Sequence, residues 1–244
     1  MIIELSRLLR HLAHNELSNL SLIDETEIAI RDNKVHGIIG HIDDALVRLH
    51  SRFILHEKEV LIRVQPGRTR YPLELRFARS AHNFTEIPNT NDFILDTPMA
   101  PFIEDVIKVL AVFNECGRQY SINDIEDPLS CFLPKPQTLQ VPTECPDRIL
   151  SVMYQARHVE LNRHNRDRAA LMAQKIDIPD FFLEAVRAFV AAQVYSNMNG
   201  QEAQLNYQKY MARFETICVE AEEQDLVNRS HHTTFTKLEN RGFV

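Results

Sequence analysis

Histidine pairs are the first side chains of this sequence that could do chemistry. His11 and His14 lie three residues apart in a predicted helix, where their rings could supply half of a metal site. No second ligand pair is placed by the sequence to complete four-coordination, and we assign no ligand role to His231 and His232. We therefore expect two exposed histidines near a helix end and no metal or other cofactor.

Carboxylates and thiols give no stronger signal for catalysis. Asp43–Asp44 and Glu222–Glu223 are neighbours on predicted helices and point in different directions, so neither pair could share a proton as an acid/base dyad does. Cys218 falls in an apolar stripe and is predicted to be a small core residue. None of the four cysteines forms a CxxC pair, so we expect free thiols.

Motifs of the large enzyme classes are missing from the sequence. It has no phosphate-binding loop, dinucleotide fingerprint, serine nucleophile elbow or HExxH zinc motif, and six glycines leave little material for a phosphate cradle. We therefore predict that the protein is not an enzyme. A hydrolase with an unrecognised site is kept as a minor alternative.

The ends of the chain have helical periodicity. A first helix is predicted over Ile2–His14, and Asp24–Glu27 has the pattern of a capped helix start before a long helix that continues to Phe53. Near the other end, two amphipathic helices are predicted from Pro179 to about Asn197 and from Gln201 to about Asp225, joined at Gly200. These helices must position any site that the chain has.

The middle of the chain has the two-residue period of strands. Residues 60–64 and 71–77 alternate around a Pro-Gly turn and predict a β-hairpin, in which Pro72 favours an edge position. Further strands are predicted at 107–113, 119–122, 139–141 and 149–157, and the stretches 80–101 and 123–147 have the composition of long loops. Together these patterns predict a small, mostly antiparallel sheet.

The order of these elements predicts an α+β fold with a helical body and an inserted antiparallel β-domain. The expected boundaries are 1–56 for the N-terminal helices, 57–158 for the β-rich insertion, 159–226 for the C-terminal helices and 227–244 for an extended tail. The sequence has neither a signal peptide nor the ~18 consecutive apolar residues of a membrane span. We therefore expect a protein made in the cytoplasm, with no membrane partner.

Charge is distributed unevenly along the chain. The net charge of −7 argues against a protein that grips nucleic acid, although it would let DNA pass without sticking. Residues 48–79 hold eight basic and three acidic side chains, whereas residues 177–225 hold three basic and nine acidic ones. Acidic residues that crowd a helix C-terminus oppose its dipole, so we expect a cation to face them. A basic surface on the next copy of the chain would make a heterologous contact, which can close into a ring.

Two arginine-containing segments are candidate partner-binding sites. Arg68 and Arg70, in the loop of the predicted hairpin, are expected to contact an acidic neighbour. The tail 227–244 has isolated apolar anchors among cationic residues, so it either remains unstructured or orders on a partner. Its candidate contact residues are Arg229, Phe235, Leu238, Arg241 and Phe243.

Six segments, spread over most of the chain, are informative through their order and spacing. They are Asn15–Leu20, the helix end Ala45–Phe53, Tyr71–Leu75, Ile122–Leu129, the strand Leu150–His158, and Ile178–Pro179 opening a helix through Val190–Ala192. In that order and spacing the chain resembles head-to-tail adaptor (connector or head completion) proteins of tailed bacteriophages.

The resemblance implies a virion structural protein at the neck, where a homo-oligomeric ring, typically of twelve copies, lies below the portal protein. It also implies contacts with tail or nozzle proteins, a channel through which DNA passes without sequence-specific binding, and a C-terminal segment that docks into the portal. By resemblance the docking role falls on Arg229, Phe235, Leu238, Arg241 and Phe243. The alternative is a cytosolic α+β adaptor or regulator that binds one protein partner through its tail.

Overall fold

A computed structural model of the chain describes residues 2–24, 29–82, 91–165, 167–224 and 226–227. They form helices and antiparallel sheets, so the predicted α+β class is confirmed. The chain up to Leu55 and the chain from Val159 onward form one compact unit, the helical unit, and His56–His158 form a second, the β unit. None of the described helices has both the length and the apolar composition needed to cross a membrane.

The described elements follow one another along the chain as short strands, helices and 3-10 turns. In order they are β1 (Ile2–Glu4), α1 (Leu5–His14), β2 (Ile23–Asp24), β3 (Ala29–Ile30), α2 (Asp32–Arg52), β4 (Glu57–Arg63), β5 (Arg70–Pro72), 3-10 turns Leu75–Phe77 and Arg79–His82, β6 (Ile94–Leu95), β7 (Val106–Phe113), β8 (Phe132–Lys135), β9 (Thr138–Gln140), β10 (Ile149–Ala156), α3 (Arg168–Met172), β11 (Lys175–Asp177), a 3-10 turn Asp180–Phe182, α4 (Leu183–Ser196) and α5 (Gln201–Glu223).

Helix α4 is the centre of the helical unit. It packs against both α2 and α5, and its apolar side chains are buried on most sides. The three-and-four spacing predicted for α2 is confirmed, because the side chains of that stripe are buried: Val35, Ile38, Ile39, Ile42, Leu46 and Leu49. Gly200, between α4 and α5, has a φ of 118°, which residues other than glycine rarely adopt.

Two helix starts differ from the sequence-based prediction. The chain from Ile2 to Glu4 is not helical, because it pairs with β11 and buries Ile3. The long helix begins at Asp32, and Asp24 pairs with Ala29 in a two-residue ladder. The pattern Asp24–Glu27 therefore does not cap α2, although part of it lies outside the described residues. A capping pattern depends only on local sequence, and here its first residue, Asp24, pairs with Ala29 in a β-ladder and does not begin a helix.

The β unit contains two antiparallel sheets around its own apolar core. One sheet has the strand order β6-β4-β10-β7, and the other has the order β5-β9-β8. Buried and less buried side chains alternate in the second half of β4 and the first half of β10, whereas four successive residues of β7, Val109 to Val112, are buried. The inward side chains of these strands share a core with residues of the second sheet, including Tyr71 and Leu139. The core is therefore closed by side chains from both sheets.

The predicted β-hairpin is wrong. The chain does turn at Gly67, which has a φ of 76°, but β4 pairs with β6 and β10 whereas β5 pairs with β9. The strand character also ends early, because a 3-10 turn starts at Leu75. Alternation indicates which side chains face inward and does not specify the partner strand. Tyr71 and Leu73 do face inward and are fully buried.

The two segments that the sequence predicts to be long loops contain additional strands. Residues 80–101 include β6, and residues 123–147 include β8 as well as the predicted strand now seen as β9. The predicted strand 119–122 is reduced to isolated bridges at Gln119 and Ile122. Strands of two to four residues have too few alternations to be detected from their sequence.

Candidate partner-binding site

Arg68 lies against aromatic rings of its own unit. Its guanidinium carbon is 4.2 Å from the ring centre of Phe93, 5.0 Å from that of Phe77 and 5.6 Å from that of Tyr71. Cations at such distances from a ring face are attracted by its quadrupole. Burial lowers the pKa of Arg68 from its usual value, with the nearby Tyr71 opposing that shift.

Hydrogen bonds fix Arg68 and the loop that carries it. Arg68 Nε donates to the carbonyl oxygen of Arg70 at 3.0 Å, and Nη1 donates to Oε1 of Gln65 at 3.3 Å. The hydroxyl of Tyr71 donates to the carbonyl oxygen of Arg68 at 2.9 Å and accepts from the amide of Gln65 at 2.8 Å. Arg68 therefore stabilises this loop from within, a role that the sequence interpretation missed because Phe93 is distant along the chain.

Arg70 differs from Arg68 because its side chain is exposed. It opens β5, an outer strand of the three-stranded sheet, as Pro72 in the same strand indicates. Arg63 and Arg76 are also exposed, and Arg76 pairs with Glu74 at 2.6 Å. Of the two loop arginines, Arg70 is thus the one available to a partner.

The predicted tail contacts cannot be placed. Arg229, Phe235, Leu238, Arg241 and Phe243 lie outside the described residues, and their role remains a prediction. The last helix before them, α5, is described throughout.

Helix α5 has one face on α4 and a wide exposed face. Among its 23 residues only Ala203, Phe214, Cys218 and Ala221 are buried. Leu205 and Val219, by contrast, are 59% and 42% exposed. A helix that buries so little of its surface against the described part of the chain has room for a second contact.

The cation expected opposite the α5 carboxylates is in the same chain. Arg52 of α2 donates to Glu222 through Nε at 2.9 Å and to Glu215 through Nη1 at 2.7 Å. Hydrogen bonds to Glu222 and then to Glu215 raise the pKa of Arg52. Glu220 and Glu223 are exposed, and no ion pair joins either of them to a described residue. Part of the acidic cluster is therefore compensated internally, and part remains open.

A basic surface lies elsewhere on the helical unit. Arg31, Lys34, Arg163 and Arg168 are exposed around the start of α2 and around α3, and Arg168 pairs with Asp32. Two small clefts, of about 220 Å³ and 170 Å³, open there and share Val35, Arg168 and Met172 in their walls. We call these four cations and the two clefts the basic patch. The basic segment recognised in the sequence, residues 48–79, does not include Arg31 or Lys34, so this part of the basic patch was not predicted.

One polar cluster of the β unit contains Tyr120, Cys145 and Asp147. The Tyr120 hydroxyl donates to Asp147 and lies 3.9 Å from Sγ of Cys145. Desolvation raises the pKa of Tyr120, and it raises the pKa of the buried Cys131 thiol to about 12. These groups hold their protons at neutral pH, which makes them poor nucleophiles and bases. Within the described part of the chain, no three His, Cys, Asp or Glu side chains converge on a metal-sized site.

The cysteines have the predicted state. All four are free thiols, and Cys218 is a buried core residue. Desolvation raises its pKa to about 11. Cys116 is the exposed thiol, on a turn of the β unit.

A groove of about 720 Å³ runs along β4 in the β unit. Leu61, Leu95, Phe102 and Ile103 give it an apolar wall. Strand β6 covers only Leu61 and Ile62, so the first half of β4 is an open sheet edge. That half carries Glu57, Lys58 and Glu59, and charged side chains are typical of edges protected against further strand pairing. We therefore assign no ligand to this groove.

Comparison of the chain with models of known protein families and with curated proteins gives no match.

Proposed function

We propose that this protein is a structural head-to-tail adaptor of a tailed bacteriophage virion. In this role, copies of the chain form a ring below the portal protein, contact tail or nozzle proteins and surround a channel for DNA. The proposal comes from the resemblance of the sequence segments, and it assigns the protein to the neck of the virion. It includes no catalytic step.

The observation that best supports an assembly role is the exposed face of α5. Most of this 23-residue helix is exposed, and two of its carboxylates, Glu220 and Glu223, have no described ion-pair partner. Leu205 and Val219, which are 59% and 42% exposed, give this face apolar surface that a neighbouring subunit could bury. Subunits of rings need two such surfaces, one for each neighbour.

The charge balance suits a channel. DNA carries a dense line of phosphates, and a strongly basic lumen would retain the duplex through counterion release. A net charge of −7 is compatible with DNA passage and disfavours tight binding.

The tail provides the proposed link to the portal. The anchors Phe235, Leu238 and Phe243 would fill apolar crevices, and Arg229 and Arg241 would pair with portal acids or carbonyls. Burial of one Phe or Leu side chain contributes roughly 1.5 to 3 kcal/mol, so three anchors could offset much of the ordering cost. The test is a chain that ends after residue 227, compared with the full chain for binding to DNA-filled heads that lack tails.

We expect the truncated chain to fold and melt like the full chain, because the sequence of the removed segment has few apolar side chains to bury. It should no longer join filled heads. A matched control is the full-length variant with Lys237 and Glu239 exchanged, which keeps all the anchors and should still bind. Docking of the truncated chain at full strength would refute the portal role of the tail.

A further inference from the structure

The exposed face of α5 contains an apolar row with acids beside it. Leu205, Ala212 and Val219 are spaced seven residues apart, so they lie along one side of the helix, and all three are exposed. Glu220 and Glu223 lie next to Val219, and Leu226, just after the helix, is 45% exposed. We call this row with its two acids the acidic face.

The basic patch has the complementary properties. Arg168 lines both clefts, whose walls also include Val35 and Met172, and Arg10 lines the larger one. Arg31, Lys34 and Arg163 are exposed nearby in the same region of the unit. An apolar cleft with cations at and near its rim fits an apolar row with negative neighbours. Two acids lie among these cations: Asp32 pairs with Arg168, and Asp167 accepts from the amide of Ala169.

The two surfaces lie at separate positions on the helical unit. Helix α5 packs mainly on α4 and meets α2 through Arg52, at the end of α2. Arg31 and Lys34 lie at the opposite end of α2, and α3 packs on α1. The acidic face can therefore be occupied by one neighbour while the basic patch is occupied by another. A contact between unlike surfaces is heterologous, and its repetition closes a ring or continues as a filament.

We propose that the acidic face of one copy packs against the basic patch of the next copy. The inference rests on the proposed function, since it names the contact by which the ring would form. The occupant of the acidic face is a second copy of this chain. Its acids disfavour nucleic acid as a partner, and the basic patch of the same unit offers the cations and apolar residues that the acidic face requires.

Reversal of charge tests the contact without unfolding the helices. Glu220→Lys with Glu223→Lys places cations at the end of α5, and Arg31→Glu with Lys34→Glu places acids at the start of α2. Each change is in the direction that the helix dipole favours, so each variant should fold as well as the wild type. Glu144→Lys, at an exposed position of the β unit, is the control for a change of net charge.

Native mass spectrometry and sedimentation of the full chain at low and high ionic strength supply the readout. The wild type and Glu144→Lys should self-associate at low salt and dissociate as the Debye length falls from about 30 Å to about 3 Å. Each double variant alone should associate at least about tenfold more weakly. An equal mixture of the two should recover association, because each then offers the charge that the other lacks.

The outcomes separate the contact from the function. Oligomers that persist unchanged in both double variants would overturn the contact and leave the ring proposal standing. A mixture that fails to associate would also overturn it. A wild type that stays monomeric at low salt overturns the contact, whereas the adaptor role is decided independently by binding to filled heads.

Discussion

Replacement of Arg68 separates its structural role from the partner role first expected for the loop. Arg68→Met removes the charge and keeps an apolar stem over Phe93, Phe77 and Tyr71. A cation–π contact at an exposed site is worth about 0.5 to 1 kcal/mol, so three rings allow roughly 1.5 to 3 kcal/mol before compensation by water. We expect the β unit to lose about 2 kcal/mol. Arg70→Met, at the exposed neighbouring position, should change stability by less than about 0.5 kcal/mol.

The assay is urea denaturation. The unfolding of the β unit alone is monitored by hydrogen exchange of peptides from β4 and β10. With a urea slope of about 2 kcal/mol per molar, the midpoint for Arg68→Met should fall by about 1 M. The midpoint for Arg70→Met should stay in place. If the two variants lost equal stability, or if Arg68→Met lost none, the aromatic contacts would not stabilise the loop as argued. Impaired assembly of Arg70→Glu with normal folding would support the partner role of Arg70.

Three further predictions follow from single groups. Arg52→Gln should cost about 1 kcal/mol, because it removes partly exposed ion pairs to Glu215 and Glu222. The midpoint in urea measures this loss, and Arg7→Gln, at an exposed position of α1, serves as the control. Cys116 should react with iodoacetamide at neutral pH while Cys131 stays unmodified, and mass mapping that found Cys131 labelled first would contradict this. The free energy of unfolding should fall as pH rises from about 9 towards 12, because the folded state holds the Cys131 proton that the unfolded state releases. Chelators should leave the melting temperature unchanged, whereas a drop of several degrees would show that the metal interpretation of His11, His14 or the cysteines was dismissed wrongly.

Helix periodicity predicted the fold better than strand periodicity did. The stripe of α2 and the joint at Gly200 were found from local spacing alone, since a helix closes its hydrogen bonds within itself. Strand pairing is nonlocal, so alternation located the inward residues Tyr71 and Leu73 and failed to predict that β5 pairs with β9. The same limit hid the contact of Arg68 with Phe93, which depends on tertiary packing.

The candidate site was only partly accessible from sequence. Acid crowding at the end of α5 predicted a facing cation, and one is present in Arg52, but the spacing could not show that it comes from the same chain. The basic patch brings together residues near 31 and near 168, which no window along the chain combines. The tail contacts lie outside the described residues and rest on the sequence alone.

The most direct test of the adaptor role is the mass of the complex that the chain forms with the purified portal ring of its virion. The adaptor account predicts a complex with many copies of the chain arranged as a ring on the portal, and loss of that complex when the chain ends after residue 227. A strict one-to-one complex with a single partner, or no binding to the portal at all, would contradict it.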